Sequence, residues 1–160
     1  MMNILITGGA GFIGRTLHEK LYGSGNKTTL LDKKAPFSVD SELVTYIKAD
    51  VCNQEKILSV FETHQFDGVI HLAAVSRVVA AENDPQECER TNVGGVHSLL
   101  NGIEKSGQKP WLIFGSSREI YGEATNLPVK EDAQKAAINI YGKTKIEGES
   151  LFSEFSKNII

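Results

Sequence analysis

Apolar positions in this 160-residue chain follow two rhythms. Short unbroken runs have the length and continuity of strands buried on both faces. They are NILIT at Asn3 to Thr7, TTLLD at Thr28 to Asp32, VTYIKA at Val44 to Ala49, VIHL at Val69 to Leu72 and WLIFG at Trp111 to Gly115. Between them, longer stretches carry an apolar residue every three or four positions: Gly11 to Tyr22, Gln54 to His64, Pro85 to Lys105, and a last one from Ile140 to Ser156. That period predicts amphipathic helices. Short strands alternating with helices of crossover length predict an α/β fold, a doubly wound parallel sheet in three α/β/α layers.

The stretch opening at Pro85 has start and stop signals. Asp84 is placed to cap it, Pro85 suits the first turn, Glu87 would complete a capping box and Gly107 lies just past the end. Its interior holds Gly94 and Gly95, each costing about 1 kcal/mol relative to alanine. Close packing against a neighbouring element or ligand is expected to offset that cost.

Composition narrows the class. One domain with a real core fits this length and two do not. With 41% apolar and 23% charged residues the chain is too apolar to stay disordered. A net charge of -3, with acids and lysines interspersed, leaves no footprint for nucleic acid, and the Lys33-Lys34 pair is too short to supply one. Cys52 and Cys88 lack metal or redox spacing, His18, His64, His71 and His97 are scattered, and no metal site is expected. The opening MMNILITGGAGFIG has no basic leader, and no run approaches the ~20 apolar residues of a membrane span, so neither export nor a membrane is expected. The expected location is a reducing cytoplasm.

NILITGGAGFIGRTL reads as strand, glycine-rich turn and helix start, with Gly8, Gly11 and Gly14 spaced G-x-x-G-x-x-G. Such a turn lets backbone amides meet a pyrophosphate at the positive end of a helix. Asp32 ends the next strand, close to the ~20 residues expected for an acid that binds the adenosine ribose, which makes this a Rossmann-type turn for a dinucleotide. A carboxylate there accepts from ribose hydroxyls and repels a 2'-phosphate, favouring NAD over NADP, although Lys33 and Lys34 stand beside it. Two other readings of the same residues exist. Gly9 to Thr16 nearly matches a triphosphate-binding loop, with Arg15 where the lysine belongs, and a tight turn needs no ligand at all.

IYGKTK places Tyr141 and Lys145 four apart, on one face of the last helix. A free phenol has a pKa of about 10, and work as a base near neutrality needs it lowered by about 3; one nearby cation supplies roughly 1–3 of that. The alternative is an edge tyrosine beside a solvated lysine. IFGSSREIYG, following the fifth strand, is at the strand end where ligands gather in such sheets. There Ser117 can bind a substrate hydroxyl and Glu119 can act as an acid or base. Ser116 reads as a turn-stabilising hydroxyl, and Glu119 equally as a solvated carboxylate.

Taken in order, TGGAGFIG, Asp32, Asp50-Val51, HLAA at His71 to Ala74, TNVGG at Thr91 to Gly95, SSREIYG and YGKTK resemble the extended short-chain dehydrogenase/reductase family of NAD-dependent sugar-nucleotide epimerases and dehydratases. The resemblance implies that Phe12 and Ile13 line the pyrophosphate turn. It makes Asp50 and Val51 adenine contacts, sets Leu72, Ala73 and Ala74 close beside the cofactor, and makes Asn92, the asparagine of the T-N-V segment, a further cofactor-binding residue. It makes Ser117 the catalytic hydroxyl, Tyr141 the acid–base residue, and Lys145 the ribose-binding lysine that lowers the tyrosine's pKa. Arg118-Glu119 stands where dehydratases of this kind carry Asp-Glu, and Thr144 where a serine is usual. The implied substrate is a nucleotide sugar. The resemblance also implies that Asn158, Ile159 and Ile160 begin a further strand, and that a smaller substrate domain would follow residues 1–160. A homodimer through the last two long helices is a further implication, with Ile146, Leu151, Phe152 and Phe155 either at that interface or packed on the chain's own sheet.

Overall fold

The computed structural model describes residues 1–34, 41–124 and 127–159. Five strands, β1 (Asn3–Thr7), β2 (Lys27–Asp32), β3 (Val44–Lys48), β4 (Gly68–His71) and β5 (Trp111–Phe114), pair in parallel in the order β3-β2-β1-β4-β5. β1 is central, and the chain leaves it in opposite directions, to β2 on one side and later to β4 on the other. That reversal opens a crevice at the carboxyl ends of the strands.

Alternation along the strands supplies two cores. Ile4, Ile6, Leu30 and Ile70 face α1 (Phe12–Gly23), which contributes Leu17 and Leu21. Leu5, Leu31 and Val69 face the opposite layer, made by α2 (Gln54–Thr63), α5 (Gly95–Ser106) and α6 (Ile140–Ile159). Ile57 and Phe61 of α2, Leu99 and Ile103 of α5 and Phe152 of α6 pack there. The doubly wound, three-layer arrangement is therefore present. Among the described residues no helix is long and apolar enough to cross a membrane.

The stretch from Pro85 is not one helix. It divides into α4 (Pro85–Glu89), a π-helical turn Arg90–Gly94, and α5. Asp84 does cap α4, accepting from Glu87 N at 3.0 Å, and Gly107 ends α5 with φ +69°. The reciprocal half of the capping box does not form. Asp84 N donates to Ala80 O, and the Glu87 carboxylate turns instead to Thr91 and to Lys33 and Arg90, whose charged donors offer it stronger bonds than a neutral amide. Gly95 presses against Val51, where a Cβ would stand 2.7 Å from Cγ1; Gly94 has no such neighbour. Two short elements have no counterpart in the apolar pattern: α3 (Val78–Asn83) and a 3₁₀ turn, Arg118–Tyr121. The expected strand start is corrected, since Asn158 and Ile159 continue α6; Ile160 lies outside the described residues.

Gln108 joins α2 to the approach of β4. Its Oε1 accepts from Phe66 N at 2.9 Å, and its Nε2 donates to Phe61 O at 2.6 Å and His64 O at 2.8 Å. Two of these are carbonyls that the end of α2 leaves unpaired and the third an amide in the loop after it, where water reaches them poorly. Gln108→Leu is expected to lower stability by about 1–3 kcal/mol. The urea midpoint should fall while the slope of the transition stays unchanged.

Candidate active site

The crevice is a cleft of about 570 Å³, and every strand end contributes to it: Gly8 after β1, Asp32 on β2, Asp50 after β3, Ala73 after β4 and Gly115 after β5. Its floor is set at Gly8. With φ +71° this residue occupies the left-handed region, and a Cβ there would stand 2.8 Å from Ala73 N. Only glycine lets the first turn lie this close to the strand end across the switch point.

The amides of that turn divide into two groups. Those of Gly8 and Gly9 donate to Leu31 O, that of Ala10 to Asp32 Oδ2, and that of Gly11 to Gly8 O. Among the described residues the amides of Phe12, Ile13 and Gly14 meet no acceptor, because α1 starts at Gly11 without a side-chain cap. These three, not the amides of the earlier glycines, are presented to an anion in the cleft. Phe12 and Ile13 are themselves 89% and 63% exposed, so apolar surface flanks them. Asp32 spends its oxygens locally, on Ala10 N at 3.0 Å and Lys34 N at 2.9 Å, which ties the end of β2 to the turn.

At the opposite end stand Tyr141 and Lys145, one turn apart on α6 and both lining the cleft. Three contacts hold that helix start. Gly142 N donates to Asn139 Oδ1 at 2.7 Å, Ile140 N donates to Glu82 Oε1 at 2.9 Å, and Tyr141 packs with Ala81 and Cys88. The unanticipated α3 thus supplies both a carboxylate at the helix's positive end and a wall for the tyrosine. Lys145 is 4% exposed. Its Nζ donates to Gly115 O at 2.7 Å and lies 4.8 Å from the centre of the Phe114 ring and 5.8 Å from that of Tyr141. Burial lowers its pKa to about 8, with Cys88 opposing the shift.

His71 lies beneath, stacked on Phe114 and Phe152. Thr7 Oγ1 accepts from Ala73 N, so its proton goes to His71 Nδ1 at 2.7 Å. Burial first, then Lys145, lowers the His71 pKa to about 3. The imidazole is neutral near neutrality and leaves the ammonium uncontested.

Of the residues picked from the sequence, Gly8, Gly11, Phe12, Ile13, Gly14, Asp32, Asp50, Val51, Leu72, Ala73, Ala74, Tyr141 and Lys145 meet in the cleft. Asn92 does not. It is buried, accepting from Val75 N at 2.7 Å and donating to Thr144 Oγ1 at 3.0 Å, and so joins the π turn to α6; its neighbour Thr91 lines the cleft instead. Ser117 caps the 3₁₀ turn, accepting from Glu119 N at 3.2 Å, whereas Ser116 lines the cleft and donates to Glu149. Glu119 is neither solvated nor free: it accepts from Asn139 Nδ2 at 2.7 Å and pairs with Arg118 at 3.1 Å, orienting the cap of α6. Ser116, expected only to stabilise a turn, is thus a cleft residue, and Glu149 and Phe114 had no place among the site residues read from the sequence. Glu149 follows Lys145 by four residues, a spacing that would have marked it.

A family model for the NAD-dependent epimerase/dehydratase family matches residues 4–158. The chain belongs to that family. Among similar proteins, a UDP-glucose 4-epimerase of Halalkalibacterium halodurans is 35% identical over 153 residues, covering 94% of this chain and 45% of that protein. One from Bacillus subtilis is 32% identical, covering 96% and 48%. The solved UDP-glucose 4-epimerase of Brucella ovis in complex with NAD superposes with a TM-score of 0.89 at 30% identity, over 98% of this chain and 48% of that one. The Thermotoga maritima UDP-glucose 4-epimerase with UDP-glucose also gives 0.89 at 30%, over 99% and 52%. The chain thus spans about half the length of the relatives it matches. The residues present fit the family's dinucleotide: three unpaired amides at a helix start, an acid at the end of β2, and a cleft running from both to Tyr141 and Lys145.

Lys145 gives a pH signature. Between about 8 and its ordinary value near 10.5 the folded chain holds less of a proton at this site than the unfolded chain does, so this group makes stability rise with pH across that window. Compared with Lys145→Met, the wild type is expected to gain stability in urea as the pH is raised from about 8 to about 10. A constant difference would show that the ammonium is not desolvated.

Proposed function

We propose that the cleft binds NAD and that this chain carries the acid–base machinery of a nucleotide-sugar epimerase. The observation that carries the reading is the pairing of Tyr141 and Lys145 in the same cleft as the uncapped start of α1. The amides of Phe12, Ile13 and Gly14 would hold the pyrophosphate, Asp32 the adenosine ribose, and Val51 and Asp50 the adenine end. Gly8, Gly11 and the strand end Leu72, Ala73 and Ala74 would let the dinucleotide lie close. When bound, the dinucleotide supplies a reversible hydride acceptor.

Tyr141 would take the proton of a sugar hydroxyl and later return it, restoring the hydroxyl with the opposite configuration. Lys145, held by Gly115 O and the Phe114 face, would stabilise the phenolate and bind the nicotinamide ribose. Ser117, one residue beyond the cleft-lining Ser116, would bind the sugar oxygen, and Glu119 would act through Asn139 rather than on the sugar itself. The missing acid at Arg118 argues against dehydration. UDP-glucose is the first substrate to test, since similar proteins bear its name. The two free cysteines suit a cytoplasmic setting.

A second reading is that this chain binds NAD without turning over a sugar, and its coverage of about half of each relative favours it. Calorimetric titration with NAD, run beside an epimerase assay, separates the two. Tyr141→Phe is expected to keep NAD binding and to lower turnover about 10²–10⁴-fold. Normal turnover by that variant excludes the acid–base assignment.

The same reading extends to pairing of two copies through α5 and α6. Phe152 belongs to the chain's own core, and Leu151 and Phe155 pack on it partly buried, bordering a shallow groove with Leu100. Light scattering is expected to return twice the chain mass, and monomer alone would remove the pairing.

A further inference from the structure

The ribose end of the cleft poses an electrostatic problem. Asp32 is followed by Lys33 and Lys34, and two cations beside a ribose are what a 2'-phosphate seeks. Lys33 is not available for that role. Its Nζ lies 3.2 Å from Glu87 Oε1 and 3.8 Å from Asp50 Oδ2. A third cation of the neighbourhood is held by the same two acids. Arg90 donates from Nε to Glu87 Oε2 at 2.7 Å and from Nη2 to Glu87 Oε1 at 2.9 Å and Asp50 Oδ2 at 3.0 Å. Thr91, which lines the cleft, donates to Glu87 Oε1 at 3.0 Å.

Glu87 is the hub of this set. Asp50 has a second duty, accepting from Cys52 N at 3.0 Å, while the Glu87 oxygens are given wholly to Lys33, Arg90 and Thr91. Arg90 foremost, helped by Thr91 and Lys33 against the effect of burial, lowers the Glu87 pKa to about 2, so the carboxylate is charged at any working pH. We propose that Glu87 is a specificity-determining residue: by holding Lys33 and Arg90 it withholds from the ribose two of the three nearby cations that a 2'-phosphate could use, leaving Lys34 alone beside Asp32, so that the cleft favours NAD over NADP. Asp32 repels the phosphate, and Glu87 removes most of its counter-charge. Discrimination then has an attractive part suppressed as well as a repulsive part present.

The inference rests on the dinucleotide reading, and its test separates the two. Titrate NAD and NADP into the wild-type chain, Glu87→Gln and Glu89→Gln, with circular dichroism checking that each is folded. Glu89 is exposed two residues along α4, and its substitution changes net charge equally without touching Lys33. Glu87→Gln is expected to raise the ratio of NADP to NAD affinity roughly tenfold, the lower end for one charge-assisted hydrogen bond. The rise should shrink with added salt. Adding Lys33→Met should abolish most of it, and Lys33→Met alone should move the ratio less than about twofold. A ratio unmoved by Glu87→Gln, moved as much by Glu89→Gln, or lowered by Lys33→Met alone overturns the inference while leaving the cleft a dinucleotide site. Failure of the wild type to bind either dinucleotide overturns the dinucleotide reading itself, and the inference with it.

Discussion

The approach of Gly8 to the Leu72–Ala73 peptide governs the rest of this structure. Two parallel strands are joined side by side, and the turn leaving one must pass over the end of the other. Because Gly8 carries no side chain and adopts a left-handed conformation, the turn sits directly on β4 and α1 starts at the mouth of the crevice. Thr7 reinforces that junction with a hydroxyl shared between Ala73 N and His71. The unpaired amides, the acid of β2 and the helix bearing Tyr141 all take their relative positions from this crossing.

The two ends of the cleft use opposite electrostatic strategies. At one end a single ammonium is enclosed by Phe114, Tyr141 and a carbonyl, with the neighbouring His71 imidazole held neutral, so that its field is little screened. At the other, two acids and two cations cancel one another in an exposed network, and Asp32 stands beside Lys34 at the cleft. In the proposed reaction, strong attraction is thus concentrated where the proton would move, and near-neutrality where the ribose would be recognised.

Much of this was legible in the sequence because strands buried on both faces must be continuously apolar. All five strands and helices α1 and α2 lie within a residue of expectation, whereas the stretch from Pro85 is divided by a π turn and α6 runs on to Ile159 where a strand was anticipated. What escaped notice depends on partners distant in the chain. The VVAAEN segment of α3 is too short to display a period, and its value lies in Glu82 and Ala81 reaching α6. Glu87 carries the spacing of a capping residue, but nothing local reveals that Lys33, 54 positions earlier, competes for it. Asn92 was read as a cofactor contact from its motif; whether it faces the cleft or the interior is decided by a local change of helical pitch. Ser116 and Ser117 are adjacent hydroxyls, and only the backbone path after β5 separates the one in the cleft from the one that caps a turn.

That change of pitch has a consequence for how the chain can vary. A π turn holds one residue more than an α turn of the same span, so Arg90–Gly94 is in effect an insertion absorbed inside a helix. Removing one residue there would let α4 and α5 join as a continuous α-helix with their faces still in register. What would be lost is the local offset that brings Thr91 to the cleft and turns Asn92 toward Val75 and Thr144. The extra residue thus serves the placement of two adjacent side chains rather than the alignment of the helices on either side.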